Sequence, residues 1–372
     1  MMKQRTSLFL AVFLLLALAG CGRVEVPETP PEPVTLEVSD LNDILANLNP
    51  DGATLTNYSE GKESSYPADS AIRAERYIET LQGFTWEGYQ PPEEWNGSDE
   101  YRCEFVGNGV ALTAYQSGYG DAWSLHAVTE TGEGWFVLPY IGEEHGEIKQ
   151  VSWMIFNTFE NWYAEAQTAE LHRAGGTPLS ADELDRFEDY THWTENRFDK
   201  NGYVTTYASP ISCFFTSLYT DPRDMDAGEF LYYCPDEGHL TAEDEAEFAL
   251  VQKKLDWRGG DGRLLSIDEL PIPCHRISHT YLDGILMKYA GITVADMHTD
   301  WKEKAFYIPE TDCFYTFNSD FGPGMFVPRY GECSGDTVTL WSRDYGPDEP
   351  GRVLTMQKSG EDWHILSHQA AK

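Results

Sequence analysis

Hydrophobic and polar positions follow strand-like or helix-like spacing along two long stretches of the chain, one before residue 172 and one after residue 179. The clearest strand of the first stretch is 101–106, where Tyr101, Cys103 and Phe105 share one face and Arg102 and Glu104 share the other. Helical spacing of apolar residues predicts helices over 40–48, 67–81 and 148–172. Further strands are predicted at 53–58, 84–89, 110–116, 122–129 and 134–140.

The second stretch begins with helices and ends with strands. Ser180 and Glu183 are spaced as a capping box, as are Thr241 and Asp244, and each pair predicts the start of a helix. A third helix is predicted from 276 to 290, with Gly291 as the glycine that follows its C-terminus. Alternating segments predict a five- or six-stranded meander at 305–308, 313–317, 325–329, 337–343, 352–357 and 363–367.

These patterns predict an α+β fold with two domains, each with helices packed on an antiparallel β-sheet. The N-terminal domain is expected at 39–172 and ends in the long helix, and the C-terminal domain is expected at 179–372. Residues 173–178, which include two glycines and a proline, break the pattern and are the expected boundary. No βαβ alternation is visible in either stretch.

The N-terminus carries an export signal. Lys3 and Arg5 precede an unbroken apolar run over 8–19, which is too short to span a bilayer as a mature helix. With Cys21 directly after Leu-Ala-Gly, the segment resembles a bacterial lipoprotein signal. That resemblance implies removal of residues 1–20, diacylglyceryl attachment to the Cys21 sulfur, and an extracytoplasmic protein anchored to the cell membrane. Residues 21–38 are rich in Pro and Glu and are expected to be an extended tether.

The formal charge of −36, from 62 acidic and 26 basic residues, decides which partners are excluded. Such a polyanion repels nucleic acid and anionic lipid headgroups, so neither is an expected partner. The membrane is reached through the lipid at Cys21, and the envelope protein or small ligand that the chain would bind is not identified by its composition.

Six cysteines remain after Cys21, an even number that permits disulfides outside the cytoplasm. Bridges 313–333 and 213–234 are the two pairings considered, and the spacing leaves the pairing of Cys213, Cys234, Cys274, Cys313 and Cys333 open. The remaining cysteine, on the strand at 101–106, is expected to be a packed core thiol. None of them forms a C-x-x-C pair, so zinc-ribbon and thioredoxin-like motifs are absent from the sequence.

Three local patterns could carry chemistry. His275 and His279 would share a face of the predicted third helix, but a zinc site needs at least three protein ligands, and Arg276 stands where a zinc protease has Glu. Asp261 begins a segment similar to half of an EF-hand loop, although the positions for the first two carboxylates hold Trp257 and Gly259. The loop at 319–324 combines Ser, Asp, Gly and Pro and could shape a ligand site. No metal ligand, cofactor or catalytic residue is assigned.

A loose resemblance covers most of 179–368. It is carried by the segments LSADELDRF at 179–187, YASP at 207–210, YLDGIL at 281–286, GITVADM at 291–297 and DCFYTFNSD at 312–320. The closing VLTMQK and WHILS segments match as well. In these motifs the chain resembles uncharacterised secreted lipoproteins of Clostridia-type Gram-positive bacteria. The resemblance implies the domain boundary and the α+β fold, and it implies no activity.

The expected function is therefore binding or sensing at the cell envelope, without catalysis. One alternative is a hydrolase of envelope polymers or glycans, although the sequence has no nucleophile elbow and no phosphate-binding loop. The other is the solute-binding protein of an importer, which would be expected to contain two βαβ lobes.

Overall fold

The computed structural model describes residues 34–59, 61–91, 101–116, 123–139, 153–198, 204–235, 238–319, 322–344 and 350–372. Its helices are α1 (Val38–Ala46), α2 (Ala74–Gly83), α3 (Trp153–His172), α4 (Ala181–Tyr190), α5 (Ala227–Tyr232), α6 (Glu245–Leu255), α7 (His279–Ala290) and α8 (Trp301–Lys304). Strands before α3 are β1 (Val34–Thr35), β2 (Thr54–Ser59), β3 (Lys62–Pro67), β4 (Glu87–Gly88), β5 (Tyr101–Gly107), β6 (Val110–Tyr115), β7 (Ser124–Thr129) and β8 (Gly132–Val137). Strands after α3 are β9 (Thr177–Pro178), β10 (Thr194–Phe198), β11 (Val204–Ala208), β12 (Cys274–Ser278), β13 (Tyr307–Ile308), β14 (Cys313–Phe317), β15 (Pro328–Ser334), β16 (Thr337–Ser342), β17 (Arg352–Ser359) and β18 (Asp362–Ala370). The expected signal, the lipid-bearing Cys21 and most of the tether lie outside the described residues.

The first sheet is antiparallel, with the strand order β8-β7-β6-β5-β2-β3 and β4 beside β8. The alternation predicted for β5 is confirmed, because Cys103 and Phe105 are fully buried on its inner face. The prediction at Pro67 is wrong. Pro67 ends β3, a polar edge strand that the hydrophobic pattern does not reveal, and α2 begins only at Ala74.

Helix α3 packs on both halves of the molecule. Its Phe159 and Trp162 belong to the core beneath the first sheet. Ala169, about two turns after Trp162, packs with Tyr330 and Trp341 of the second sheet. The small side chain of Ala169 lets the helix approach that second surface closely. The predicted helix is thus confirmed over 153–172, and its first predicted residues, 148–152, lie outside the described part of the chain.

The second half contains a five-stranded antiparallel sheet with the order β18-β17-β16-β15-β9, and a separate three-stranded sheet with the order β12-β14-β13. The predicted single meander is therefore wrong in two respects: the strand predicted at 325–329 lies at Pro328–Ser334, and two of the predicted strands belong to the other sheet. Strands β13 and β14 leave it, because β14 pairs along its whole length with β12, from Cys274 opposite Phe317 to Ser278 opposite Cys313. The capping box that was predicted for α4 is present, with Ser180 N donating to the Glu183 carboxylate over 2.8 Å.

Strand pairing and hydrogen bonds hold the link between the halves, residues 173–178, against the second sheet. Strand β9 pairs with β15. The carboxylate of the buried residue Glu332 accepts hydrogen bonds from Ala174 N over 3.0 Å and from Gly176 N over 2.8 Å. The Tyr330 hydroxyl donates to the same carboxylate over 2.7 Å. Burial alone raises the pKa of Glu332, but these hydrogen bonds lower it by more, so the carboxylate stays ionised. The expected boundary is therefore a paired segment.

A buried ionic network also connects the two halves. Arg73, just before α2, donates through Nε to Glu165 of α3 over 2.6 Å and through Nη1 to Asp185 and Glu188 of α4 over 2.9 and 2.6 Å. Glu165 is fully buried, and it also accepts hydrogen bonds from Arg73 N over 3.2 Å and from the Tyr77 hydroxyl over 2.7 Å. Burial lowers the pKa of Arg73, but the charges of Glu165, Tyr77 and Glu188 and the hydrogen bond to Glu165 together raise it by more. Residues Thr35–Lys372 form one compact α+β unit that contains separate hydrophobic cores for the two halves.

Candidate functional site

The Cys274–His279 segment folds differently from its prediction. Residues Cys274–Ser278 form β12, and α7 begins at His279, where Ser278 Oγ accepts a hydrogen bond from Tyr281 N. The interpretation of 276–278 as helix is wrong, because an apolar pattern this short also fits a strand, and pairing with β14 selects the strand. His275 and His279 thus lie in different elements. Among the described residues, no group of three or more His, Cys, Asp or Glu could hold a metal ion.

Two of the candidate features do meet at one place. His275 and the start of the 319–324 loop line the same cavity, whose volume is about 260 Å³. We call it the tyrosine–proline cavity. The described residues that line it are Ala208, Tyr232, Tyr233, Cys234, Pro235, Pro273, His275, Thr316, Asn318, Ser319 and Pro323.

A hydrogen bond and close packing hold described residues of both loops that line the cavity. Asn318 Nδ2 donates to the carbonyl oxygen of Tyr232 over 2.9 Å, which joins the end of β14 to the end of α5. Gly322 lies against the ring of Tyr233, and a Cβ there would be 3.2 Å from the ring. Gly324 lies so close to the backbone of Phe215 that a Cβ would come within 2.5 Å of its carbonyl carbon, so only glycine fits at this position.

Few polar side chains line the cavity, and a hydrogen bond orients one of them, His275. His275 Nε2 donates to the carbonyl oxygen of Asn318 over 2.8 Å, which fixes the orientation of the half-buried ring. Thr316 and Ser319 add hydroxyl groups, and Tyr232 presents 43% of its surface to solvent. Within the described lining there is no Asp, Glu, Lys or Arg. The arrangement offers aromatic and proline surface with a few hydrogen-bonding groups, which is typical of a recognition site.

Sequence reasoning found only part of this cavity. The 319–324 loop was predicted as a possible ligand site and His275 as a possible metal ligand, whereas no sequence pattern indicated Tyr232, Tyr233 or Pro235. No local signal marks these residues, because they reach the cavity through the tertiary packing of α5 against β14.

His279 takes part in a separate surface network. Its Nδ1 lies 3.2 Å from Asp312 Oδ1, the same oxygen accepts from the Tyr307 hydroxyl over 2.5 Å, and Lys302 Nζ lies 3.3 Å from the imidazole. The hydrogen bond from Tyr307 is the largest cause of the lowered pKa of Asp312; the charges of His279 and Lys302 lower the pKa further, and burial opposes these effects. Asp312 adopts a positive φ of 51° and is 56% exposed, so the network fastens a tight turn to the start of α7.

The other sequence candidates have structural roles. Asp261 Oδ1 accepts a hydrogen bond from Arg263 N over 3.1 Å, as expected for a turn. The six described cysteines are free thiols, so the 313–333 and 213–234 bridges are not formed. Burial raises the pKa of Cys103 far above its ordinary value and that of Cys274 to about 12, which makes both thiols unreactive.

Comparison with known proteins adds no assignment: no protein-family model, curated protein or solved structure matches this chain. None of the helices in the described ranges is long and apolar enough to cross a membrane.

Proposed function

We propose that this protein is a membrane-anchored extracytoplasmic lipoprotein that binds a partner at the cell envelope through the tyrosine–proline cavity, without catalysis. The observation that carries the proposal is the lining of the cavity, which combines two tyrosines and three prolines with no ionised carboxylate or basic group among its described residues. Such a surface recognises uncharged rings. A prolyl or aromatic ring presented by an extended peptide segment is the occupant that fits this chemistry best.

The lining supports binding over hydrolysis for a chemical reason. Glycoside hydrolysis needs a pair of carboxyl groups about 5 to 10 Å apart across the scissile bond. The tyrosine–proline cavity offers His275 and hydroxyl groups instead, and the imidazole Nε2 is already engaged with a backbone carbonyl. Apart from the pair β1–β8, the strand pairs of the described sheets are antiparallel, whereas the βαβ lobes of an importer's solute-binding protein would contain parallel pairs.

The domain arrangement belongs to the same proposal. Two domains, 39–172 and 179–372, are supported by separate hydrophobic cores, one under the first sheet and one around the second. Helix α3 and the Arg73 network then act as the shared interface, and the tether holds both domains away from the membrane.

Anchoring can be tested by replacing Cys21 with alanine. Because thioether formation needs the cysteine sulfur, labelled fatty acid is expected in the wild type only, and the variant is expected in the medium. Cys333→Ala, which removes the one partly exposed thiol among the six described cysteines, is the control and should label like the wild type. Equal labelling of wild type and Cys21→Ala would contradict lipid attachment at this residue.

Binding can be tested with a synthetic proline-rich peptide as the probe and isothermal titration of the full-length chain in detergent. Tyr232→Ala is expected to weaken binding about tenfold, since an aromatic contact of this kind contributes about 0.5 to 1.5 kcal/mol beyond its buried area. Tyr101→Ala is the matched control, because Tyr101 is similarly exposed, at 39%, and lies on the first sheet. Peptide binding that is unaffected by Tyr232→Ala, or weakened equally by both variants, would contradict the proposed site.

A further inference from the structure

Polar residues occupy inward-facing positions at one end of the first sheet. On β2, Leu55, Asn57 and Ser59 share a face, and their partners on β3 include Ser64 opposite Asn57 and Lys62 opposite Ser59. Leu55 is fully buried in the core, so this face is the one that packs beneath α3. A pattern that continues the core would place apolar residues at these positions, and polar residues at core-facing positions are typical of a functional site.

Helix α3 covers this polar end without filling it. Phe156, Glu160, Tyr163 and Gln167 lie on one helix face, and Arg343, directly after β16, closes the side toward the second half. Between them lies a cavity of about 350 Å³, which we call the junction cavity. Its volume is within the range of small-ligand sites, roughly 300–1,000 Å³.

Some polar groups of the junction cavity are engaged and others are not. Tyr163 and Ser64 share a hydrogen bond of 2.5 Å, and Arg343 Nη1 donates to Glu160 over 2.9 Å. By contrast, the side chains of Asn57 and Gln167 make no hydrogen bond with the described part of the chain, and Gln167 Oε1 is buried. Buried polar atoms are nearly always hydrogen-bonded, so an acceptor left open inside a cavity indicates a ligand or water that supplies the donor.

We propose that the junction cavity binds a saccharide unit, with Asn57 and Gln167 hydrogen-bonded to its hydroxyl groups. Side-chain amides suit this task because each offers both a donor and an acceptor, as a sugar hydroxyl does. The rings of Tyr101 and Phe156 supply apolar surface for the C–H face of a sugar ring.

The charges of the lining favour a neutral ligand. Arg343 is paired with Glu160, and Lys62 and Asp344 add one charge of each sign, so two basic and two acidic residues give a formal sum of zero. An anion would gain no net attraction here, and it would be repelled by the overall charge of −36. A zwitterionic amino acid is the competing ligand, because it could use Lys62 and Asp344 directly.

Isothermal titration of the full-length chain with maltose, N-acetylglucosamine and glutamine at millimolar concentrations tests this inference. The detergent must lack a sugar headgroup. Binding of at least one saccharide is expected, and Asn57→Ala with Gln167→Ala should weaken it tenfold or more. The control is Asn196→Ala with Gln357→Ala, which removes the same two residue types from exposed strands and should leave the affinity unchanged. If the first double variant does not fold, Tyr101→Ala provides the same test at a partly exposed residue.

Three results would overturn the proposal: no saccharide binding, saccharide binding that the cavity variants do not weaken, or glutamine binding that they do weaken. Tyr232→Ala should leave saccharide binding intact, since Tyr232 lines the other cavity. Failure at the junction cavity can thus be distinguished from failure of the proposed function.

Discussion

Replacing Glu165 by alanine is expected to lower the free energy of unfolding by about 3 to 5 kcal/mol, because it leaves the Arg73 guanidinium largely buried without its main partner. The Arg73 side chain is only 12% exposed. Glu165 accepts hydrogen bonds from the Nε and backbone N–H groups of Arg73 and from the Tyr77 hydroxyl. Chemical denaturation followed by tryptophan fluorescence measures the loss.

The matched control for this prediction lies on the same helix. Glu170 accepts a hydrogen bond from Ser70 over 2.6 Å, but its side chain is 37% exposed, so Glu170→Ala should cost about 1 kcal/mol or less. A double replacement, Arg73→Met with Glu165→Met, should cost less than the sum of the single changes, because it removes both buried charges together. Equal losses for Glu165→Ala and Glu170→Ala would refute a special role for the buried network.

The second large effect is expected from His368 when the pH is lowered. His368 is 2% exposed, and its Nδ1 donates to the carbonyl oxygen of Ser217 over 2.7 Å. Its Nε2 has no hydrogen-bond partner within the described residues. The pKa of His368 is lowered to about 4, because burial and, to a smaller extent, the charge of Arg352 outweigh the opposing effect of the hydrogen bond to Ser217. The neutral ring is therefore the form that fits the fold.

The direction of the pH effect follows from the two pKa values. Since the pKa is about 6.5 in the unfolded chain and about 4 in the folded one, protons bind preferentially to the unfolded state between these values. The stabilisation is complete above about pH 6.5 and decreases as the pH falls toward 4, by about 3 kcal/mol in total.

The variant His368→Asn isolates this contribution. Its amide can still donate to Ser217, but it does not titrate, so the stability gap between wild type and variant should narrow as the pH falls. Melting temperatures measured over that pH range check the trend, which the many carboxylates of the protein would otherwise mask. His239→Asn, which replaces an exposed histidine instead of a buried one, is the control. A gap that stays constant with pH would show that His368 titrates normally.

Local interactions explain which elements could be predicted from the sequence. The capping boxes at Ser180 and Thr241 join residues three apart, so their geometry depends on little besides the sequence itself. Gly291 adopts the left-handed conformation expected after α7, with φ at 67°. Strand β5 was predictable because one of its faces is buried and the other is half-exposed, which leaves a period of two.

Long-range packing decided the features that the sequence misassigned. Strand β3 is polar and lies at a sheet edge, so its backbone pairing with β2 carries no hydrophobic signature. The residues of β12 fit either a strand or the first turn of a helix, and only hydrogen bonding to β14 decides between them. The same pairing divides the predicted meander between two sheets.

The sequence by itself determined the α+β class and the helix starts that depend on neighbouring residues, and the export signal with Cys21 as the lipid site stays a prediction. Only the tertiary structure decided that α3 serves two sheets, that Arg73 and Glu165 meet across 92 positions, and that His275 joins the 319–324 loop at one cavity. The physical reason is that side-chain spacing encodes the burial of one element, whereas a cavity or a buried ion pair depends on how several distant elements pack together.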